Sequence, residues 1–503
     1  MNWRIILKSL ASREMRKRIF VVFGMLIIFR LLAHIPIPLA DPTQLRQILD
    51  NIFSQTSQSQ LLGFINLLGG GALANFSIML VGLGPYINAS IIMQLLTKAI
   101  PKIEALNKEG EYGRKKIQQW TRMITFPLAV IQSIGTIFLV RQSAASFGGL
   151  GDLITSASIG QWILMISALA GGSMLLMWFG ELITEQGIGN GISLLITVGI
   201  VSRLPQILGS LISSVMVKDS KMHIYGSINL PINSKALWIT LAIGAASVII
   251  TLLVVYLNEA QRRITINYAK RLQGNRVYGG ITTILPIRLI IAGVIPIIFA
   301  LAFLSLPAFV GQLLSQSAHG GWQTFGEKLV VWFQNPTPET LAQGGLQAYL
   351  YPILYFLLVF VFTFFYTSVV FNSKEIAENL QKQGGFIEGI RPGLQTENFL
   401  LKVVNRLTLF GALALAMLAV LPIIAQALLH TNQVALGGTS ILILVSVALE
   451  TMRQIESRAL MVTYDNYAIK MPQEEGARKR KWRILKKIKK SFIITKFYNL
   501  KHF

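Results

Sequence analysis

The chain has 503 residues, of which 53% are hydrophobic and 14% charged, with a mean hydropathy of +0.56. That balance excludes a soluble globular enzyme and places the chain among integral membrane proteins. The formal net charge of +24 would suggest nucleic-acid binding in a soluble protein, but here it has to be read through its distribution, and the lack of cysteine excludes disulfides and thiolate metal sites.

A basic segment, 1–18, carries Arg13, Arg16, Lys17 and Arg18 and precedes the first apolar stretch. That stretch ends in HIPIPLADP with no small-residue cleavage site, so no cleavable signal peptide is expected. Ten stretches approach the ~20 apolar residues that cross a hydrocarbon core. They lie near 19–35, 75–97, 123–140, 159–180, 188–208, 236–257, 286–309, 349–371, 403–424 and 438–455. The expected fold is an all-α polytopic membrane protein.

Residues 61–97 are apolar enough to enter a bilayer, yet Gly69, Gly70, Gly71, Gly82, Gly84 and Pro85 break them up. Broken backbone at membrane depth is tolerated only where protein buries it or where it lines a watery cavity. The segment therefore points to a pathway rather than an anchor. Gly293 and Pro296 interrupt span seven as Gly84 and Pro85 interrupt span two, five spans earlier. An odd-numbered repeat reverses orientation, so the match points to inverted halves, 19–210 and 211–471, hinged near 203–235. Glycine and proline are also common in membrane helices, which leaves coincidence open at this point.

The turn MWFGELITEQGIGNGIS, 177–193, joins spans four and five tightly, with GIGNG supplying backbone freedom. Ile192 and Ile196 share a helical face, as do Leu83 and Ile87 in span two. Such pairs face lipid, a neighbouring helix or a pore.

Two long connections stand out: 258–285, whose alternation at Arg263–Ile266 suggests a short hairpin, and 372–402, which reads as a short helix, a Gly384-Gly385 turn and the tight GIRPG. Their length favours partner docking over mere solvated connection. They share cations with the other even-numbered loops: Lys98, Lys102, Lys108, Arg114, Lys115 and Lys116 after span two, Arg262, Arg263, Lys270, Arg271 and Arg276 after six, and Lys374, Lys382 and Arg391 after eight. The alternate loops are poorer, carrying Arg46, Arg141 and Lys328, although the third has Lys218, Lys221 and Lys235. By the positive-inside rule both termini and the even-numbered loops face the cytoplasm of a cell-membrane protein. The basic tail, 472–503, is expected on the same side, either bound to rRNA or anionic lipid or solvated and disordered.

No Walker A sequence, HExxH, GxSxG or His/Asp/Glu cluster is visible, which argues against an enzyme, a metal site or a bound cofactor. Arg30, Glu181, Glu185, Arg288 and Glu450 lie near span ends, and the spans otherwise hold almost no ionisable residues. Ion-coupled carriers place such groups at the midplane, so an ion-coupled small-solute secondary transporter is the weaker alternative. A pore-free lipid scaffold or insertase is a third.

The blocks GGGALANFSIMLVGLGPYINASIIMQLL, MWFGELITEQGIGNGISLLI, NEAQRRITINYAKR, GVIPIIFA, GGFIEGIRPGLQT and GGTSILIL occur in this order along nearly the whole chain. Together they resemble the SecY family, the central subunits of the Sec protein-conducting channel. The resemblance implies ten transmembrane helices in a two-halved clamshell around an hourglass pore. It implies a plug half-helix over about 61–74, with Phe64, Leu67, Leu68, Gly69, Gly70, Gly71 and Ala72. Its pore ring maps onto Leu83, Ile87, Ile192, Ile196, Ile298 and Ile443. The lateral gate lies between spans two and three and spans seven and eight, with Gln94 either tuning closure or bonding a neighbouring helix. Arg262, Arg263 and Arg391 match positions that dock the ribosome or the SecA ATPase. Implied partners are SecE and SecG as small membrane subunits, SecA, the ribosome with its rRNA, signal-bearing preproteins and the lipid bilayer. The chain departs from the family pattern in Leu83-Gly84 where an Ile-Met pair is usual, in Gln186 where Arg is frequent, and in its longer basic tail.

Overall fold

The computed structural model describes residues 13–37, 69, 77–145, 158–215, 222–224, 228–230, 234–268, 271–273, 276–278, 280, 282–315, 320–336, 345–429, 439–459 and 461. The basic tail and all expected plug residues but Gly69 lie outside these.

Without water to hydrogen-bond, an apolar segment in lipid must satisfy its backbone internally, and each expected span overlaps a helix. The helices are α1 (Arg13–Leu32), α2 (Gly84–Ala99), the short α3 (Pro101–Lys108), α4 (Glu111–Ala145), α5 (Ile159–Glu185) and α6 (Gly191–Val215). There follow α7 (Ser234–Glu259), α8 (Ile295–Leu314), α9 (Gly320–Phe333), α10 (Leu346–Val370), α11 (Ser373–Lys382), α12 (Leu394–Leu429) and α13 over 439–459. Six stretches among the described residues are long and apolar enough to cross a membrane: Glu111–Phe138, Ile159–Glu185, Leu237–Glu259, Ile295–Leu314, Gln347–Lys382 and Leu394–Leu428.

Three boundaries differ from the hydropathy reading, each for a backbone reason. Span two begins at Gly84 rather than near 75, because Pro85 sits in the first helical turn, where a missing N–H costs nothing. Span seven likewise begins at Ile295, with Pro296 in its first turn, after a strand that ends at Arg288. The helix of span five continues to Val215 through Pro205, so it takes up part of the expected 203–235 connection.

Many hydroxyls in these helices are bonded back within their own helix. Thr121, Thr125 and Thr136 of α4 donate to the carbonyls four residues earlier at 3.0, 2.7 and 2.7 Å. Thr363 and Thr367 of α10 do the same at 2.6 and 2.7 Å, which removes the cost of an unpaired polar group in lipid. Close helix approach uses glycine: a Cβ at Gly191 would overlap the Gly180 carbonyl, so the α5–α6 hairpin depends on Gly191 lacking a side chain.

The two long connections form one body. Strands β3 (Gln261–Tyr268) and β6 (Thr282–Arg288) make the expected hairpin, with the short β4 (Arg271–Gln273) and β5 (Arg276–Tyr278) between them. A third strand, β7 (Gly385–Ile387), arrives from the second connection and pairs with β3, so the order is β6-β3-β7. The register sets Ile266 opposite Ile387 and Tyr268 opposite Gly385. Alternation along β3 turns Ile264 and Ile266 inward, onto Ile287, Ile387, Leu380 of α11, and Leu400 and Val404 of α12. A further short pair, β1 (Met222–Ile224) and β2 (Ile228–Leu230), lies between α6 and α7.

Cross-links at one end of the bundle gather the elements that carry the basic loops. Arg18 of α1 donates to the Gln186 carbonyl at 3.1 Å. The Arg458 guanidinium of α13 lies over Gly187, whose φ of +69° favours glycine. Arg453 of α13 pairs with Glu259 at 2.6 Å and donates to the Asn258 carbonyl at 2.8 Å, beside the start of β3.

Candidate constriction, gate and docking face

The expected ring residues come from four elements and belong to the large apolar core, which also draws on α1, α5, α7, α10 and α12. Leu83, Ile87, Ile196, Ile298 and Ile443 are all buried in one apolar cluster, and the partly exposed Ile192 packs against it. Each lies at or just after the beginning of a helix. Leu83 is the residue that caps α2, Ile87 lies in its first turn, Ile192 and Ile196 open α6, Ile298 is the fourth residue of α8, and Ile443 lies in the first described turns of α13.

The approach to α2 is fixed by polar contacts at both sides. The Ser77 hydroxyl donates to the Leu32 carbonyl at 3.3 Å and accepts from the Met79 N–H at 3.0 Å. The Ser173 hydroxyl of α5 donates to the Gly82 carbonyl at 2.8 Å, and Gly172 lets the Ile78 carbonyl lie directly on α5. Gly82 itself has φ +67°, a left-handed turn that swings the chain into α2. The same device recurs at α8, where Gly293 has φ +63°. Val294 then caps α8 as Leu83 caps α2, and proline follows three residues after each glycine. The equivalent residues are therefore Gly82 and Gly293 in two GxxP segments, a different pairing from that of Gly84 with Gly293. In this register Ile87 and Ile298 occupy matching positions.

On α6, the Asn190 side chain accepts from the Ile192 and Ser193 N–H groups at 3.1 and 3.4 Å, and Thr184 Oγ1 accepts from Gly191 N–H at 2.9 Å. These bonds satisfy the orphan donors of the helix start and fix where Ile192 and Ile196 point.

Helices α2 and α4 meet α8, which is the seam expected of a lateral gate. Gln94 does not bond across it: its amide donates to Ser90 Oγ of the same helix at 3.1 Å, and its buried Oε1 has no partner among the described residues. Sequence reasoning passed over Asn88, nearly two turns earlier, which is buried with an unpaired Oδ1. Its signal was available as a second amide in an otherwise apolar helix.

Arg262 and Arg263 are exposed on β3, and Arg391 is exposed in the turn after β7. Gly389 and Gly393, with φ +76° and +98°, bracket that turn, and the Thr396 hydroxyl donates to the Arg391 carbonyl at 2.9 Å. The pairing of β7 with β3 thus brings the turn that carries Arg391 to the small sheet whose strand β3 carries Arg262 and Arg263. Gly69, the one described plug residue, is buried. Phe64, Leu67, Leu68, Gly70, Gly71 and Ala72 lie outside the described residues. No group of three or more His, Cys, Asp or Glu able to hold a metal occurs among the described residues.

A sequence model of the SecY family matches residues 77–452. The protein translocase subunit SecY of Streptomyces coelicolor is 38% identical over 465 residues, covering 92% of this chain and 98% of that protein. The corresponding subunit of Corynebacterium glutamicum is 39% identical over 469 residues, with the same two coverages. Among solved structures, that of a protein conducting channel aligns with a TM-score of 0.55 at 20% identity, over 86% of this chain and 90% of that one. Sec61 in the canine ribosome-channel complex from the endoplasmic reticulum aligns with a TM-score of 0.51 at 19% identity, over 86% and 90%. At such identities these structures bear on the fold alone.

Proposed function

The chain belongs to the SecY family of protein translocase subunits, and we propose that its converging aliphatic residues are the gate of the channel. It is a multi-pass membrane protein and the protein-conducting subunit of a translocase, with no catalytic chemistry of its own. The observation that supports the gate assignment is the burial of aliphatics from the starts of α2, α6 and α8 and from α13 within one apolar core that spans both halves of the chain.

A narrow aliphatic constriction excludes ions by offering no hydration, and it closes around a passing chain without forming hydrogen bonds to it. The segment 61–74 would plug this constriction from outside. Parting α2 and α4 from α8 would open the path to lipid, where a segment sorts by transfer free energy, with charges opposed by ~2.5–3.5 kcal/mol each. The main reading, rather than the small-solute transporter, is the one that family membership supports.

The basic face is assigned to the cytoplasm of the cell membrane, with both termini there. Arg262, Arg263 and Arg391 would dock the SecA ATPase or the ribosome, the arginine fork suiting bidentate contact with carboxylate or rRNA phosphate. SecE and SecG would complete the membrane assembly.

Because the chain has no native cysteine, single cysteines at Ile192 and Ile443 test the gate directly. Both are expected to crosslink to a stalled, signal-bearing chain. Labelling from neither position overturns the assignment.

A further inference from the structure

We propose that Phe309 of α8 and Gly135 of α4 form an aromatic latch across the seam, and that this latch sets how apolar a segment must be to part it. Both residues are buried, and they lie toward the end of the seam remote from the β-sheet. A Cβ at position 135 would overlap the tip of the Phe309 ring, so the ring occupies a notch that only glycine leaves open. The ring is braced within its own half, since Leu313 of α8 and Phe333 of α9 pack against Ala308 and Phe309. Helix α9 is in turn held close to α8, where a Cβ at Gly326 would run into the backbone at Gly311, Leu314 and Ser315. The ring is therefore packed between α4 and α9.

Within its own half, α8 is tied to α10 by edge-on aromatic pairs. Phe299 meets Phe362 and Tyr366 at centroid distances of 6.3 and 6.2 Å, and Phe303 meets Phe362 at 6.0 Å. Opening thus separates α8 from α4 rather than from α10, and the ring must leave its notch. In lipid the ring loses no water-exclusion energy on leaving. It loses close-packed contact, which a sufficiently apolar incoming segment can replace. The latch consequently acts as a threshold on substrate hydrophobicity.

The proposal rests on this seam being the lateral exit. Its test is export of precursors bearing strongly and weakly apolar signal sequences by the native-like translocase carrying Phe309→Ala, Phe309→Leu, Gly135→Ala, or Phe309→Ala with Gly135→Ala. The ratio of weak- to strong-signal export is expected to rise roughly three- to tenfold in Phe309→Ala, within the coupling range for residues in contact. It should rise less in Phe309→Leu, which keeps apolar bulk without the planar fit. Gly135→Ala should also raise it, and the double variant should be no more permissive than Phe309→Ala alone. An unchanged ratio in Phe309→Ala overturns the latch, as does simple additivity of the two changes. If Phe309→Ala fails to accumulate in membranes, an unchanged ratio in Phe309→Leu overturns it instead. A wild-type chain that exports not even the strong-signal precursor would refute the channel reading rather than the latch.

Discussion

At the scale of single residues, the sign of one backbone angle explains more of the site than any side chain does. Gly293 adopts φ +63° with open space around it, the nearest group being Glu450 Oε2 at 3.6 Å from where a Cβ would stand. Gly293→Ala therefore costs about 1–2 kcal/mol for conformation alone. It should displace Ile298 and raise ion leak through the purified channel in planar bilayers, whereas unchanged conductance would show that the turn does not aim the residue. Arg391 offers a second residue-scale test. Arg391→Glu should slow motor- or ribosome-driven export severalfold with little change in membrane abundance, because the side chain is exposed. The GxxP spacing in GLGP and GVIP already pairs Gly82 with Gly293, and the left-handed turn at both glycines gives that spacing its physical reason.

At the scale of elements, hydropathy located the spans because lipid leaves the backbone no option but helix, and it misjudged their starts because apolarity does not register a cap. The short strand β7 could not be read from GGFIEGI, since three residues carry no alternation and its partner is over a hundred positions away. Helix α9 was missed for a related reason: a fourteen-residue amphipathic segment is too short to register as a span. The sheet rests on a small core of its own, which makes it separately breakable. Ile387→Asn should destabilise the sheet by about 3 kcal/mol through lost apolar burial and an unpaired amide. Limited proteolysis is expected to cut within 258–285 and near 385–393 faster than in the wild type, with the membrane helices still protected.

At the scale of the whole molecule, the alternation of basic and poor loops predicts sidedness. The contacts of Arg18, Arg453 and Arg458 join the start of α1, the α5–α6 turn, the end of α7 and the end of α13 at one end of the bundle. Single cysteines at the exposed positions Lys102 and Glu388 should react with an impermeant maleimide in inverted vesicles, and one at Gln323 in right-side-out vesicles. Reaction of all three from the same side would refute the arrangement. What the sequence did not reveal at this scale is which helix faces meet, because aliphatic side chains facing lipid and facing protein are the same residues.

The pairing of β3 with β7 also bears on the order of events while the chain is being made. Strand β3 emerges first, but its second edge stays open until residue 387 has been synthesised, by which time α8 and α10 have already been produced. The sheet that carries Arg262 and Arg263 and leads into the turn of Arg391 is thus finished only after the helix carrying Ile298 exists. The proposed docking face is completed when three of the four helices of the proposed gate have been made, with α13 still to come, and the strand pairing serves as a timer for assembly.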